Sequence, residues 1–328
     1  MKIIRFYEYG EPDVLKVEEI DPPKPKEGEV LVKTEAIGVN YNDLSRRRNT
    51  TRVATPLPFT PGLEIVGTVV ETGSGVTTLS PGAKVIGLLS GGGYAEYVAL
   101  PVARTLPFPA GIDPVEAVAL LLQGLTAYKI VASFGHLHQG ERIFIQAAAG
   151  GVGSLAVQLA KVLGAGQIIA GASAQIKLDL ALSLGADVGI NYTQTGWTDR
   201  VLEASEGKGV DLILDMLGGS TFSENFSYLA PFGRIVTFGA ASGQRAVIDA
   251  EKLTSRCHTV TGYFSGFFWA HPDLFLPDLN VLFQYVRAGQ VKALTTHRFP
   301  LEEAAEAHRQ MEARQTTGKV ILFPSSGQ

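Results

Sequence analysis

Short runs in which apolar and polar residues alternate fill the first hundred positions: Lys2–Tyr7, Val14–Ile20, Glu29–Ala36, Ile65–Glu71, Lys84–Leu88 and Tyr94–Ala99. A period of two sends successive side chains to opposite faces, so these runs predict strands with one face in a core. Between them stand Pro22-Pro23, Pro61-Gly62, Pro81-Gly82 and Gly91-Gly92-Gly93. Such residues lack an amide hydrogen or accept positive φ, as turns require. No helix longer than three turns fits this region. Asp113-Pro114 then opens a helical pattern through Val118, Leu121 and Leu122 towards Tyr128 and Val131, with Asp as N-cap and Pro at the first helical position.

Beyond that helix the period changes. Apolar strands at Arg142–Ala147, Gln167–Ala172, Val188–Asn191, Val210–Asp215, Arg234–Gly239 and His258–Tyr263 alternate with helical patterns at Val152–Leu163, Gln175–Leu184 and Thr221–Leu229. Continuous apolar stretches such as Ile143-Phe144-Ile145 suit a sheet covered on both faces. Six parallel strands with right-handed crossovers make a doubly wound dinucleotide fold. Helical patterns at Leu279–Ala288 and Leu301–Glu312 and a strand at Val320–Phe323 are expected to pack back on the first domain. The expected division is therefore 1–121 with 272–328 for the first domain and 122–271 for the second.

The 328 residues, 45% apolar and 18% charged, supply enough for two buried cores and exclude a disordered chain. A net charge of −4 gives no general attraction to nucleic acid or an anionic membrane, so the expected partners are small molecules. Met1-Lys2-Ile3-Ile4-Arg5 lacks the apolar stretch of a signal peptide, and no run is expected to reach the ~18 apolar residues of a membrane span. A cytoplasmic protein is the expectation. The lone Cys257 excludes an internal disulfide and any zinc site that needs two thiolates.

Candidate chemistry begins at Ala147-Ala148-Ala149-Gly150-Gly151-Val152-Gly153, a glycine-rich turn between a buried strand and a helix, which predicts a dinucleotide site. Gly150 and Gly151 leave no Cβ where a pyrophosphate approaches the backbone. The helix starting at Val152 aims its positive end at the phosphates, and Gly153 permits close helix–sheet packing. Ala148 stands where the motif usually has its first glycine. At the end of the second strand, Gly171-Ala172-Ser173-Ala174 offers no carboxylate to repel a 2′-phosphate. Ser173 can donate a hydrogen bond and Lys177 brings a positive charge, so NADPH fits better than NADH.

Gly38-Val39-Asn40-Tyr41-Asn42-Asp43, Pro61-Gly62-Leu63-Glu64-Ile65-Val66-Gly67, Gly93-Tyr94-Ala95-Glu96-Tyr97-Val98, Gly124-Leu125-Thr126-Ala127-Tyr128, the glycine loop and Thr317-Gly318-Lys319-Val320 follow one another along almost the whole chain. In this order they resemble the medium-chain dehydrogenase/reductase superfamily, and within it the zinc-free quinone oxidoreductases that include zeta-crystallin. The resemblance implies an α/β protein: a GroES-like β-barrel catalytic domain plus a Rossmann doubly wound six-stranded parallel sheet, an active site in the cleft between them, and a homodimer. Zinc-dependent relatives carry a Cys at the position of Asn40, a His at Leu63 and a third ligand near Leu122, so no metal is expected here, and Glu64 is expected to be structural.

The same resemblance implies that Ser173, Lys177 and Tyr192 surround the 2′-phosphate, and that Phe238-Gly239 and Phe264-Ser265 pass near the nicotinamide. It implies that Thr126, Lys129 and Asn40 to Asn42 face the nicotinamide or diphosphate from the other domain, and that Arg314 reaches the cofactor. Asn40, Tyr41, Asn42 and Tyr94 are the expected neutral donors where an enolate or quinol oxygen develops charge. Without a metal to polarise a carbonyl, an electron-poor quinone or enone is the expected substrate of an NADPH-dependent reductase. A 2-enoyl thioester reductase using Tyr41 as proton donor and a non-catalytic NADPH-binding protein are the alternatives.

Other features carry blander expectations. His136 and His138 lack a third ligand nearby and read as a surface loop, and Gly171–Gln175 lacks the final glycine of a nucleophile elbow. Arg46-Arg47-Arg48 with Arg52 reads as solvated, and Tyr263, Phe264, Phe267, Phe268 and Trp269 as core packing.

Overall fold

In the computed structural model the alternating runs become strands β1 (Lys2–Arg5), β2 (Lys16–Glu19), β3 (Glu29–Val39), β4 (Glu64–Thr72), β5 (Lys84–Leu88), β6 (Tyr97–Pro101) and β7 (Thr105–Pro107). Six further strands separate these from β14 (His297–Pro300) and β15 (Val320–Phe323). The structure describes residues 1–51, 53–268 and 271–324, so Arg52 and Trp269 lie outside it. Two compact units result: Met1–Leu122 with Leu294–Gln328, and Gln123–Ala293.

Strand β3 organises the first unit. Val30 to Ile37 pair with β4, while Glu29 to Lys33 pair with β6 and Ile37 to Val39 with β15 on the opposite edge. The sheet runs β14-β15-β3-β4-β5-β7. Val30, Val32, Ile37 and Val39 of β3 enter a core with Ile3, Phe6, Ile65, Val69, Leu100 and Leu322, the burial that alternation demands. Helix α1 (Tyr41–Arg47) follows β3 directly and buries Asp43, Leu44 and Arg47. The Asp43 carboxylate accepts from the Asn40 amide at 2.9 Å, half of a capping box. Arg47 corrects the solvated reading of the arginine run: its guanidinium is fully buried, donates to the Gly10 carbonyl and pairs with Glu312.

Helix α2 (Pro114–Ser133) starts where Asp113 accepts from the Val115 and Glu116 amides. Its α-helical turns are interrupted by π-helical segments at Leu120–Gly124 and Lys129–Ser133. At 20 residues it is long and apolar enough to cross a membrane by length and composition, which corrects the expectation that no run reaches that size. Its apolar character has another use, because 72% of its most apolar window is buried inside the protein.

The second unit holds β8 (Arg142–Ile145), β9 (Gln167–Ala172), β10 (Val188–Asn191), β11 (Val210–Asp215), β12 (Leu229–Thr237) and β13 (Thr259–Gly262). All pairings are parallel, in the order β10-β9-β8-β11-β12-β13. This is the doubly wound order, reversing direction at β8. The helices of six or more residues that follow α2 are α3 (Gly151–Val162), α4 (Gln175–Ser183), α5 (Trp197–Ala204), α6 (Gly219–Glu224) and α7 (Leu276–Arg287), while α8 (Ala304–Glu312) lies in the first unit. Helix α7 corrects the sequence reading, which ended this domain at 271 and assigned residues 279–288 to the first one. The unit continues to Ala293. The buried ammonium of Lys129 is paired with Asp278 of α7 at 2.6 Å, and Leu279, Leu282 and Phe283 are buried beside it.

His308 of α8 generates a test of the first unit. Complete burial, with the charges of Arg47 and Arg48 nearby, pushes its imidazole from 6.5 down to about 3. The unfolded chain takes up the proton first, so the folded state loses stability as pH falls from 6.5 towards 3, by about 1.4 kcal/mol per pH unit. Buried Asp43, raised to about 6, acts with the opposite sign. Comparing wild type with His308→Gln cancels that contribution. The wild-type minus variant difference in unfolding free energy should fall steadily between pH 6.5 and 4; a flat difference would refute the assignment.

Candidate functional site

The glycine loop leaves β8 through Gln146, whose side-chain oxygen accepts from the Met216 and Leu217 amides at 3.1 and 3.2 Å. That contact ties the ends of β8 and β11 together. Ala147 turns the chain with φ 49°, and the Ala148 amide donates to Gly171 O of β9 at 3.0 Å. Gly150 is the N-cap of α3 and brings no side-chain cap, so the first amides of a twelve-residue helix are left for a ligand to satisfy. A Cβ on Gly153 would strike the Ala147 carbonyl, which is the close packing the sequence predicts. Gly151 differs: the space of its missing Cβ is filled by the side-chain amide of Gln123, whose Oε1 and Cδ lie nearer that position than Nε2 does, at 2.7 Å.

Ser173 follows the end of β9 and is half-buried. The Tyr192 amide, just past β10, donates to Ala172 O at 3.2 Å, and its ring lies against Gly171. Lys177 sits in the first turn of α4, its amide on the Ala174 carbonyl. Parallel pairing of β9 with β10 therefore gathers Ser173, Lys177 and Tyr192 at one strand end. Phe238 is held by the Asp215 carbonyl at 3.0 Å, and Gly239 runs close past Met216. Phe264 is 70% exposed beyond β13, and Ser265 begins a helical turn. All these residues lie at the carboxyl ends of the parallel strands, the ligand side of such sheets.

Thr126 and Lys129 are buried on α2 within this same unit, which corrects their placement on the other domain. Lys129 also donates to Leu274 O at 2.8 Å, so its ammonium is engaged by α7 because a buried charge needs a partner.

In the first unit a polar cluster replaces the expected row of accessible donors. Asn40 donates from Nδ2 to Glu64 Oε1 at 2.9 Å and accepts at Oδ1 from Lys319 Nζ at 2.7 Å. Lys319 is ion-paired to Glu64, and Glu64 Oε2 accepts from the Leu122 amide at 2.9 Å. Burial pulls the Lys319 ammonium below its ordinary value. Asp43 Oδ1 accepts from the Gly62 amide at 3.0 Å, and desolvation raises that carboxyl to about 6.

Tyr94 is entirely buried, with its hydroxyl 3.0 Å from His308 Nε2, and burial holds its phenol well above the usual range. Asn40 and Tyr94 are thus committed inside the fold, a correction to their reading as open donors. Tyr41 is 42% exposed on α1, and Asn42 accepts from Arg46 Nε at 2.9 Å. Exposed Arg314, two residues past the end of α8, has φ 57°. Sequence reasoning missed Lys319, Asp43 and Gln123; for Lys319 the available signal was a charge directly before an apolar strand. Leu63 is buried, and no group of three or more His, Cys, Asp or Glu able to hold a metal occurs among the described residues.

An alcohol dehydrogenase GroES-like domain model matches residues 26–110, and a zinc-binding dehydrogenase model matches 184–322. The quinone oxidoreductase of Pseudomonas aeruginosa is 36% identical, over 98% of this chain and 99% of its own length. The chain belongs to the quinone oxidoreductase branch of the medium-chain dehydrogenase/reductase superfamily. As a member of that branch it is an oxidoreductase, built from a GroES-like domain and a Rossmann sheet. Escherichia coli quinone oxidoreductase complexed with NADPH superposes with a TM-score of 0.93 at 30% identity, covering 99% of this chain and all of that one. The rat synaptic vesicle membrane protein VAT-1 homolog is 32% identical over 92% of this chain and 78% of its own.

The Lys319–Glu64 pair predicts a large stability effect. Lys319→Met leaves a buried carboxylate without its counter-charge and Asn40 Oδ1 without its donor, which should cost about 3–5 kcal/mol. Adding Glu64→Gln should recover part of that loss in a denaturant titration. A single variant as stable as wild type would refute the pair's role.

Proposed function

We propose that this oxidoreductase uses NADPH, needs no zinc, and passes hydride to quinones or other conjugated carbonyls. The observation that carries the reading is the gathering of Ser173, Lys177 and Tyr192 at the end of β9, with the start of α3, which has no side-chain cap, at the end of the neighbouring β8. These residues fit a phosphorylated dinucleotide: amides and the helix dipole for the diphosphate, a hydroxyl and an ammonium for the 2′-phosphate. The NADPH complex of the E. coli enzyme, a fold match over nearly the whole length, supports the same cofactor.

When bound, NADPH supplies the hydride from its nicotinamide C4. In this reading Phe238-Gly239 and Phe264-Ser265 border the nicotinamide, with Thr126 and Arg314 as further cofactor residues. Tyr41 and Asn42 donate hydrogen bonds to the oxygen on which charge develops. Asn40 and Lys319 satisfy Glu64 with an amide and an ammonium, which supports zinc independence because that carboxylate already has its cation. The substrate is a small quinone or enone, and the working form is a homodimer.

A charge-assisted phosphate contact contributes roughly 1.5–3 kcal/mol, so NADPH should bind at least ~10-fold more tightly than NADH. Lys177→Ala should narrow that gap in a fluorescence titration, whereas equal affinities in the wild type would sink the cofactor assignment. The reaction is tested by following NADPH oxidation with quinones, alkenals and enoyl thioesters after prolonged chelator treatment. Quinone turnover should survive the chelator. Stoichiometric zinc together with lost turnover, or activity confined to thioesters, would defeat the reading.

A further inference from the structure

The glycine at 151 has an unexpected neighbour. Gln123, the first residue of the second unit, lies buried in the π-helical segment Leu120–Gly124 of α2. Its side-chain amide fills the space in front of the Gly151 Cα, where a Cβ would collide with Oε1 and Cδ and stand 2.7 Å from Nε2. Gly150, by contrast, has only the Ala147 carbonyl within reach of such a Cβ, at 3.2 Å. The protein itself therefore excludes a side chain at 151, and it does so with a neutral hydrogen-bonding group set against the first residue of α3.

We propose that Gln123 is a cofactor-contacting residue: its Nε2 amide donates to a diphosphate oxygen of the dinucleotide held at the start of α3, and glycine is required at 151 to admit this amide. The assignment rests on the NADPH reading above and adds a ligand to it. An amide suits the position for an electrostatic reason. The α3 amides and helix dipole already supply positive potential to the diphosphate. A neutral donor adds a directional bond, while a carboxylate of the same shape would oppose the anion. Buried beside the helix start, that donor acts in a low-dielectric setting where one hydrogen bond counts for more than at an open surface.

The test measures dissociation constants of NADPH and of adenosine 2′-monophosphate, which carries the 2′-phosphate and no diphosphate. Losing one hydrogen bond should weaken NADPH by ~3–10-fold in Gln123→Leu, and the charge in Gln123→Glu should weaken it by at least ~30-fold, with a loss that shrinks at high salt. Adenosine 2′-monophosphate should bind both variants as it binds wild type. Unchanged NADPH affinity in both variants, or parallel loss of both ligands, overturns the proposal. A wild-type protein that binds neither ligand removes the cofactor reading instead. A second arm needs no ligand: Gly151→Ala should lower the melting temperature, and Gln123→Ala combined with it should restore most of the loss. A double variant no more stable than Gly151→Ala alone would show that Gln123 does not impose the glycine.

Discussion

One buried carboxylate, that of Glu64, holds together the parts of the first unit that sequence places far apart. Two opposite charges taken out of water lose several kcal/mol of hydration each, and their attraction offsets this only if the remaining hydrogen-bonding capacity is also satisfied. Glu64 meets that condition. Oε1 takes the Lys319 ammonium and the Asn40 amide, and Oε2 takes the Leu122 backbone. The register of β15, the start of α1 and the turn of α2 at Leu122 are thus all referred to a single side chain. Gly38 completes the arrangement, since a Cβ there would collide with the Glu64 carboxyl.

The second unit owes its readability to local signals. Continuous apolar strands, their alternation with helices and the glycine loop each occupy a short window, and together they predict the sheet of six parallel strands found in the structure. What escaped the sequence reading was long-range. The pattern of α7 announces an amphipathic helix, but which core it covers is decided by distant contacts such as that of Asp278 with Lys129, 149 positions away. Helix α2 was legible as a helix from its Asp113-Pro114 start, but its two π-helical segments leave no signature in a 3.6-residue pattern.

The candidate site divides along the same line. The place of Ser173, Tyr192 and Phe238 just past the carboxyl ends of parallel strands was legible because the strands themselves were. The neutral donors were not. A Tyr or Asn that looks available for chemistry in sequence can equally be consumed by a buried partner, and His308 for Tyr94 and Lys319 for Asn40 lie 214 and 279 positions away. Arg47 makes the point with a charge: a basic run that reads as solvated places one guanidinium fully inside, against Glu312.

The discontinuity of the first unit has a consequence for a chain emerging from the ribosome. Residues 123–293 form an uninterrupted segment whose strands and helices are all present once it has been translated. The older part of the chain must wait. Until Lys319 and β15 appear, the Ile37–Val39 edge of β3 has no neighbour and Glu64 has no cation, leaving an open strand edge exposed to other nascent chains. Vectorial synthesis therefore makes the domain that begins first the one that finishes last, with the core positions later taken by Leu301, Ala304, Ala307 and Leu322 open until then.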